Sequence, residues 1–199
     1  MTAQVEDLVA DAGLAAFVRA VREEPGPSAR SLGPSALRAA QRNRVEARPP
    51  GPELAAVEDL TAGPNAVPVR LYRPVLESRP LVVFLHGGMW TIGDLESHDR
   101  ACRRIALGAD TAVLAVDFRR APEHPWPAAV DDAVDVIRWA AGHVRQEGLA
   151  PGPLVVAGDS SGGNLAALTC LRLRAEGGPL PDGQVLVCPN TDLTLSRPS

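Results

Sequence analysis

Apolar residues change their spacing several times along the chain, and each change predicts an element. Over residues 4–24, Val5, Leu8, Val9, Ala12, Ala16 and Phe17 fall on one face of a helix. The stretch EPGPSARSLGP breaks that pattern, and Ser35 to Val45 predicts a second, shorter helix. ARPPGP at 47–52 then excludes regular structure. VPVRLY at 67–72 alternates apolar and polar residues, as an edge or antiparallel strand does. Beyond it come continuous apolar runs: LVVFL at 81–85, TAVLAVDF at 111–118, LVVAG at 154–158 and QVLVCP at 184–189. LVVFL predicts a strand covered on both faces, LVVAG another buried strand, and the other two runs read as strands. Helical spacing lies between them, over 95–108, over 127–146 with Val130, Val134, Ile137 and Trp139, and over Ser161 to Glu176. APEHPWP, with three prolines, predicts a rigid loop. Alternating strands and helices, without an internal repeat, predict an α/β fold with a mostly parallel, doubly wound sheet. Residues 1–50 read as a helical segment appended to a core over 51–199.

Composition narrows what such a fold can do. At 199 residues and 45% hydrophobic content, one domain with a small appendage can bury a full core. All 20 basic side chains are Arg, which excludes chemistry that needs a lysine, such as a Schiff base or a Walker-type phosphate loop. A net charge of −4 excludes the electrostatic footprint of a nucleic-acid or anionic-membrane binder. The pairs Arg103-Arg104 and Arg119-Arg120 are isolated and read as solvated or ion-paired surface. The N-terminus is acidic early and lacks the basic start and apolar stretch of a secretory signal. No apolar run approaches a membrane span. Cys102, Cys170 and Cys188 have neither metal-ligand nor redox spacing, so they are expected to be buried thiols of a cytoplasmic protein.

Candidate chemistry concentrates where LVVAG meets the next helix. Gly158-Asp159-Ser160-Ser161-Gly162 matches G-x-S-x-G, which holds a serine on a sharp strand-to-helix turn with its hydroxyl exposed. Side chains two residues to either side would collide, hence the glycines. The helix that follows points its N-terminal N–H groups at the same spot, so the Ser161 N–H is available to an oxyanion. By itself the pentapeptide reads equally well as a closely packed strand-to-helix turn, because the chain has 18 glycines. The GDSGG of chymotrypsin-like proteases is excluded by the extra serine and the α/β surroundings. Upstream, FLHGGMWTIGD at 84–94 closes an apolar strand with His86-Gly87-Gly88. Such glycines let backbone N–H groups approach a developing negative charge. His86, at the strand end, reads as holding this loop rather than as a base.

Three blocks in this order, HGGMW at 86–90, VDFRRAPEHPWPAAVDD at 116–132 and GDSSGGNLA at 158–166, resemble the hormone-sensitive lipase group of α/β-hydrolases, the bacterial family IV esterases. YRP at 72–74 agrees, and residues 1–50 resemble part of that family's cap. The resemblance implies Ser160 as nucleophile and carboxylic esters, of short acyl chains, as substrates, without metal or organic cofactor. It implies oxyanion donors at Gly88, Met89 and Ser161, with Gly87 completing the loop. Many members carry a third glycine where this chain has Met89, which puts a side chain beside the acyl pocket. Asp117, Arg119, Pro122 and Glu123 resemble a structural signature of ion pairs within a fixed loop, and His124 belongs to that loop.

A serine nucleophile needs a base. In this fold the acid and the histidine follow the serine, yet His86, His98, His124 and His143 all precede Ser160. Asp192 in CPNTD resembles a loop position rather than the triad acid. The chain is therefore expected to stop about two-thirds of the way along the family's length, with QVLVC as an open sheet edge prone to self-association. Three functions stay open: an ester hydrolase completed by residues not in this sequence, a non-catalytic ligand-binding module, and a product without independent function.

Overall fold

A computed structural model describes residues 10–23, 31–77, 79–144 and 152–194. The chain divides into two compact units, Met1–Leu37 and Arg38–Ser199. The first holds helix α1 (Ala12–Glu23) and the start of α2 (Pro34–Glu46). Within α1 Ala15 is buried, while Ala12, Ala16 and Phe17 of the expected stripe stay exposed, so the stripe is not covered over its described part. Val5, Leu8 and Val9 lie outside the described residues.

The second unit is a six-stranded sheet with helices on both faces. In chain order it comprises β1 (Ala56–Ala62), β2 (Val67–Arg73), β3 (Leu81–Leu85), α3 (Leu95–Ala109), β4 (Ala112–Val116), α4 (Ala128–Trp139), β5 (Leu154–Asp159), α5 (Ser161–Ala175) and β6 (Gly183–Val187). In space the strands run β1-β2-β4-β3-β5-β6. The β1–β2 and β2–β4 pairs are antiparallel, and β4–β3, β3–β5 and β5–β6 are parallel.

VPVRLY is antiparallel but not an edge. β1 flanks it, a strand whose exposed Glu58, Asp59 and Leu60 carry no apolar signature. β2 keeps its alternation because Val67, Val69 and Leu71 enter one face of the core. Tyr72 enters the other, among Cys102 and Ala106 of α3 and Val113 and Ala115 of β4. The larger core joins β2–β5 to α4 and α5 through Leu85, Leu114, Phe118, Ile137, Leu165 and Leu173. Helix α4 is shorter than the apolar spacing predicts. It gives way at Ala140 to a single π-helical turn, Ala140–Val144, and residues 145–151 lie outside the described residues. Of the three cysteines only Cys102 is buried as expected, its thiol pushed up to about 12 chiefly by that burial. Cys170 is half-buried and Cys188 is exposed, because α5 and β6 form the open flank of the sheet. Among the described residues no helix is long and apolar enough to cross a membrane.

Candidate active site

β5 runs straight into the turn that carries Ser160, and α5 starts one residue later. Ser160 sits at φ 50°, ψ −118°, a left-handed conformation that costs an L-residue on the order of 1–3 kcal/mol. The neighbourhood holds it there. Its N–H donates to Val187 O at 2.8 Å, and its carbonyl accepts from Asn164 N at 3.1 Å and Asn190 N at 3.4 Å. The close approach explains Gly162: a Cβ there would lie 2.0 Å from Leu85 O and 2.6 Å from His86 O.

The glycine-rich loop begins where β3 ends, on the neighbouring strand. Gly87 N donates to Asp159 Oδ1 at 2.9 Å, joining this loop to the turn. That bond uses the Gly87 N–H, so Gly87 shapes the loop and has no donor left for a ligand. Gly88 has φ 134°, a region only glycine adopts easily, and Met89 and Trp90 follow at 55° and 56°. The loop closes on itself as Thr91 N and Ile92 N donate to Gly88 O at 3.0 and 2.9 Å. Trp90 N donates to Ser161 Oγ over a long 3.4 Å, a second tie to the turn. Among the described residues no hydrogen bond occupies the N–H of Gly88, Met89 or Ser161.

Beneath this loop lies a histidine pair. His86 is buried, stacked on Phe118 with ring centroids 4.2 Å apart and on His98 at 5.4 Å. Burial pulls its pKa down to about 4, against the smaller opposing effect of its Nδ1 lying 3.0 Å from Gly87 O. His86 is thus a neutral ring under the loop at neutral pH. His98 Nε2 lies 3.5 Å from Asp159 Oδ1. Burial alone would raise the Asp159 pKa, but the hydrogen bond and charge of His98, with the Gly87 N–H, outweigh it and lower it. His124 is exposed on the proline-rich loop, its N–H on Arg120 O, and the His143 side chain lies outside the described residues. None of His86, His98 and His124 hydrogen-bonds to the Ser160 hydroxyl, whose partner is Asn190 Oδ1 at 3.4 Å. Asn190 is itself fixed by Asn164 Nδ2, which donates to Asn190 O at 2.7 Å. The sequence reading passed over Asn190, although it stands two residues before Asp192 in CPNTD.

The remaining signature residues form ion pairs. Arg119 clamps the buried Asp132 of α4 through its guanidinium (2.7 Å) and its own N–H (2.8 Å). Arg120 pairs with Asp117 at 3.5 Å and Glu123 with Arg38 at 2.8 Å. An apolar cavity of about 280 Å³ opens beside the loop, lined by Met89, Trp90, Trp126, Ala129, Leu165 and Leu193 among others.

This arrangement has known counterparts. Residues 82–199 match the family described as alpha/beta hydrolase fold. The chain belongs to the α/β-hydrolase fold family. Among curated relatives, the carboxylic ester hydrolase LipN of Mycobacterium tuberculosis is 48% identical over 173 residues, covering 82% of this chain and 46% of LipN. The carboxylesterase NlhH of Mycobacterium tuberculosis is 42% identical over 153 residues, covering 74% of this chain and 48% of NlhH. Both names agree with the resemblance to the hormone-sensitive lipase group. Among solved structures, a hyperthermophilic esterase from Pyrobaculum calidifontis superposes with a TM-score of 0.75 at 37% identity, over 84% of this chain and 57% of that one. The ester-hydrolase EH1AB1 from the metagenome of Lake Arreo superposes with a TM-score of 0.79 at 34% identity, over 94% and 61%. The chain thus spans about half the length of these curated relatives.

Proposed function

We propose that the chain carries the nucleophile and oxyanion half of a serine carboxylic-ester hydrolase. Ser160 Oγ attacks the ester carbonyl, and the Gly88, Met89 and Ser161 N–H groups hold the oxygen that becomes negative. Collapse of the tetrahedral adduct expels the alcohol and leaves an acyl-serine, which water then hydrolyses. The observation that carries this reading is a strained serine next to three backbone N–H groups that no acceptor among the described residues occupies. The relatives' names support the same chemistry. Short acyl chains fit a cavity of about 280 Å³ whose mouth carries the Met89 side chain in place of a third glycine. We take residues 1–50 as a helical cap segment and 51–199 as the hydrolase core. A cytoplasmic setting rests on the early acidic residues and three scattered cysteines.

The proton of Ser160 needs an acceptor, and no histidine follows Ser160 in the sequence. An ester-binding module that does not turn over is favoured by one observation, the Asn190 amide rather than an imidazole on the Ser160 hydroxyl. Hydrolysis of p-nitrophenyl butyrate, wild type against Ser160→Ala, separates the two. Turnover that disappears in Ser160→Ala establishes the hydrolase and shows that a base acts on Ser160. Release at the same background rate from both proteins shows that this chain alone does not turn the ester over, and saturable binding of the ester to both would then favour the binding module.

A further inference from the structure

Helix α2 reaches the oxyanion loop with two polar side chains one turn apart. Arg38 Nε donates to Thr91 O at 2.8 Å, and Gln41 Oε1 accepts from Gly93 N at 2.7 Å. The Arg38 guanidinium also forks onto both oxygens of Glu123, each at 2.8 Å, and donates to Ala121 O at 3.0 Å. The Glu123 hydrogen bond raises the Arg38 pKa above its already high value, so the side chain carries its charge at any working pH.

The position of Thr91 O gives this contact a reach beyond anchoring. A peptide group is planar and trans, so its C=O and the next residue's N–H point in opposite directions. Thr91 O and Ile92 N belong to one such group. Ile92 N donates to Gly88 O at 2.9 Å, and Gly88 O shares its group with Met89 N. The sequence of bonds is therefore Arg38 Nε to Thr91 O, Ile92 N to Gly88 O, and outward through Met89 N. Each bond polarises the next, and the charged end strengthens the series. We propose that Arg38 is a positioning residue that aims and polarises the Met89 N–H through two peptide groups. Its bearing on catalysis rests on the reading of Met89 N–H as an oxyanion donor, whereas the chain of bonds itself does not.

The alternative role for Arg38 is to anchor α2 through Glu123, and amide NMR on the 199-residue protein separates the two. Arg38→Met is expected to shift the Met89 and Ile92 amide resonances and to speed Ile92 exchange roughly tenfold, the effect of losing one charge-assisted hydrogen bond on a local opening. Glu123→Gln and Gln41→Leu, which loosen the same helix without touching the series, are expected to leave both amides in place. If Arg38→Met does not fold, Arg38→Gln, which keeps a neutral donor for Glu123 and removes the charge at Thr91 O, serves the same comparison. Unmoved Met89 and Ile92 amides in the Arg38 variant, or equal shifts in Glu123→Gln, overturn the proposal. A parallel titration with phenylboronic acid, in which boron takes the Ser160 oxygen and the proton leaves to solvent, tests the underlying reading. Binding that Ser160→Ala does not diminish counts against that reading, while the amide shifts still decide the series.

Discussion

Gly162 leaves no room for a methyl group. A Cβ would sit 2.0 Å from Leu85 O, on backbone that the parallel β3–β5 pairing fixes in place. Gly162→Ala is expected to cost more than about 3 kcal/mol, because backbone rather than a flexible side chain must move. An unchanged urea midpoint would mean that the turn relaxes and is not strained as described. His86 supports a pH prediction. Its pKa is about 4 in the fold against 6.5 ordinarily, with burial the largest cause. Between those values the unfolded chain binds a proton that the folded chain refuses, so stability falls as pH drops from about 6.5 towards 4. Urea titrations at steps through this window check the slope, which His86→Phe, able to keep the stack on Phe118, should flatten. The glycines at 158 and 162 were legible in the sequence because they encode backbone geometry over a few residues. Asn190 was not, since it meets Ser160 across 30 residues, over an edge that only the folded sheet creates.

Elements with a strong period were legible, and those without one were not. The apolar runs at 81–85 and 112–116 are the two central strands, β3 and β4, and both their faces are covered, which leaves no polar position to interrupt them. β1 was invisible because its residues Glu58, Asp59 and Leu60 point to solvent and carry no apolar alternation. Without it, β2 fitted an edge and an antiparallel strand equally well, and the structure has the second. The loop between β4 and α4 was legible as rigid from its prolines, but what fastens it is the Arg119–Asp132 clamp. Asp132 is buried and Arg119 is partly exposed, so the two ends of this pair are unequal. Removing the carboxylate frees an arginine that can rehydrate, while removing the arginine strands a buried charge. Asp132→Ala is therefore expected to cost about 2 kcal/mol, and Arg119→Ala more, towards 3–5 kcal/mol. The order of the two urea midpoints is the test, and Asp132→Ala being the worse of the pair would contradict it.

At the scale of the molecule, the order of the strands was the part that could not be read. Periodicity says that a strand exists and how its faces are covered, but β4 lies between β2 and β3 only because of how the crossovers run. The same order leaves β6 at one end. Its inner side pairs with β5 from Val155↔Gly183 to Asp159↔Val187, and among the described residues no strand takes its outer side. Val185 and Val187 are 53% and 50% exposed, so a row of unpaired backbone groups runs along an apolar strand. Edges of that kind invite pairing, and natural sheets interrupt them with charge. The charges that face solvent here are on α5 and its end, not on β6 itself. We therefore expect the 199-residue protein to self-associate as its concentration rises, with the sedimentation coefficient climbing in analytical ultracentrifugation. Val185→Glu with Val187→Glu places two like charges on the outer strand, where any copy pairing edge to edge must bury them. The doubly substituted protein should stay monomeric over the same concentrations and keep its urea midpoint, because these side chains contribute little to the folded core. A wild type that sediments as a monomer throughout would show that the edge is protected, and association that survives the two glutamates would move the contact elsewhere.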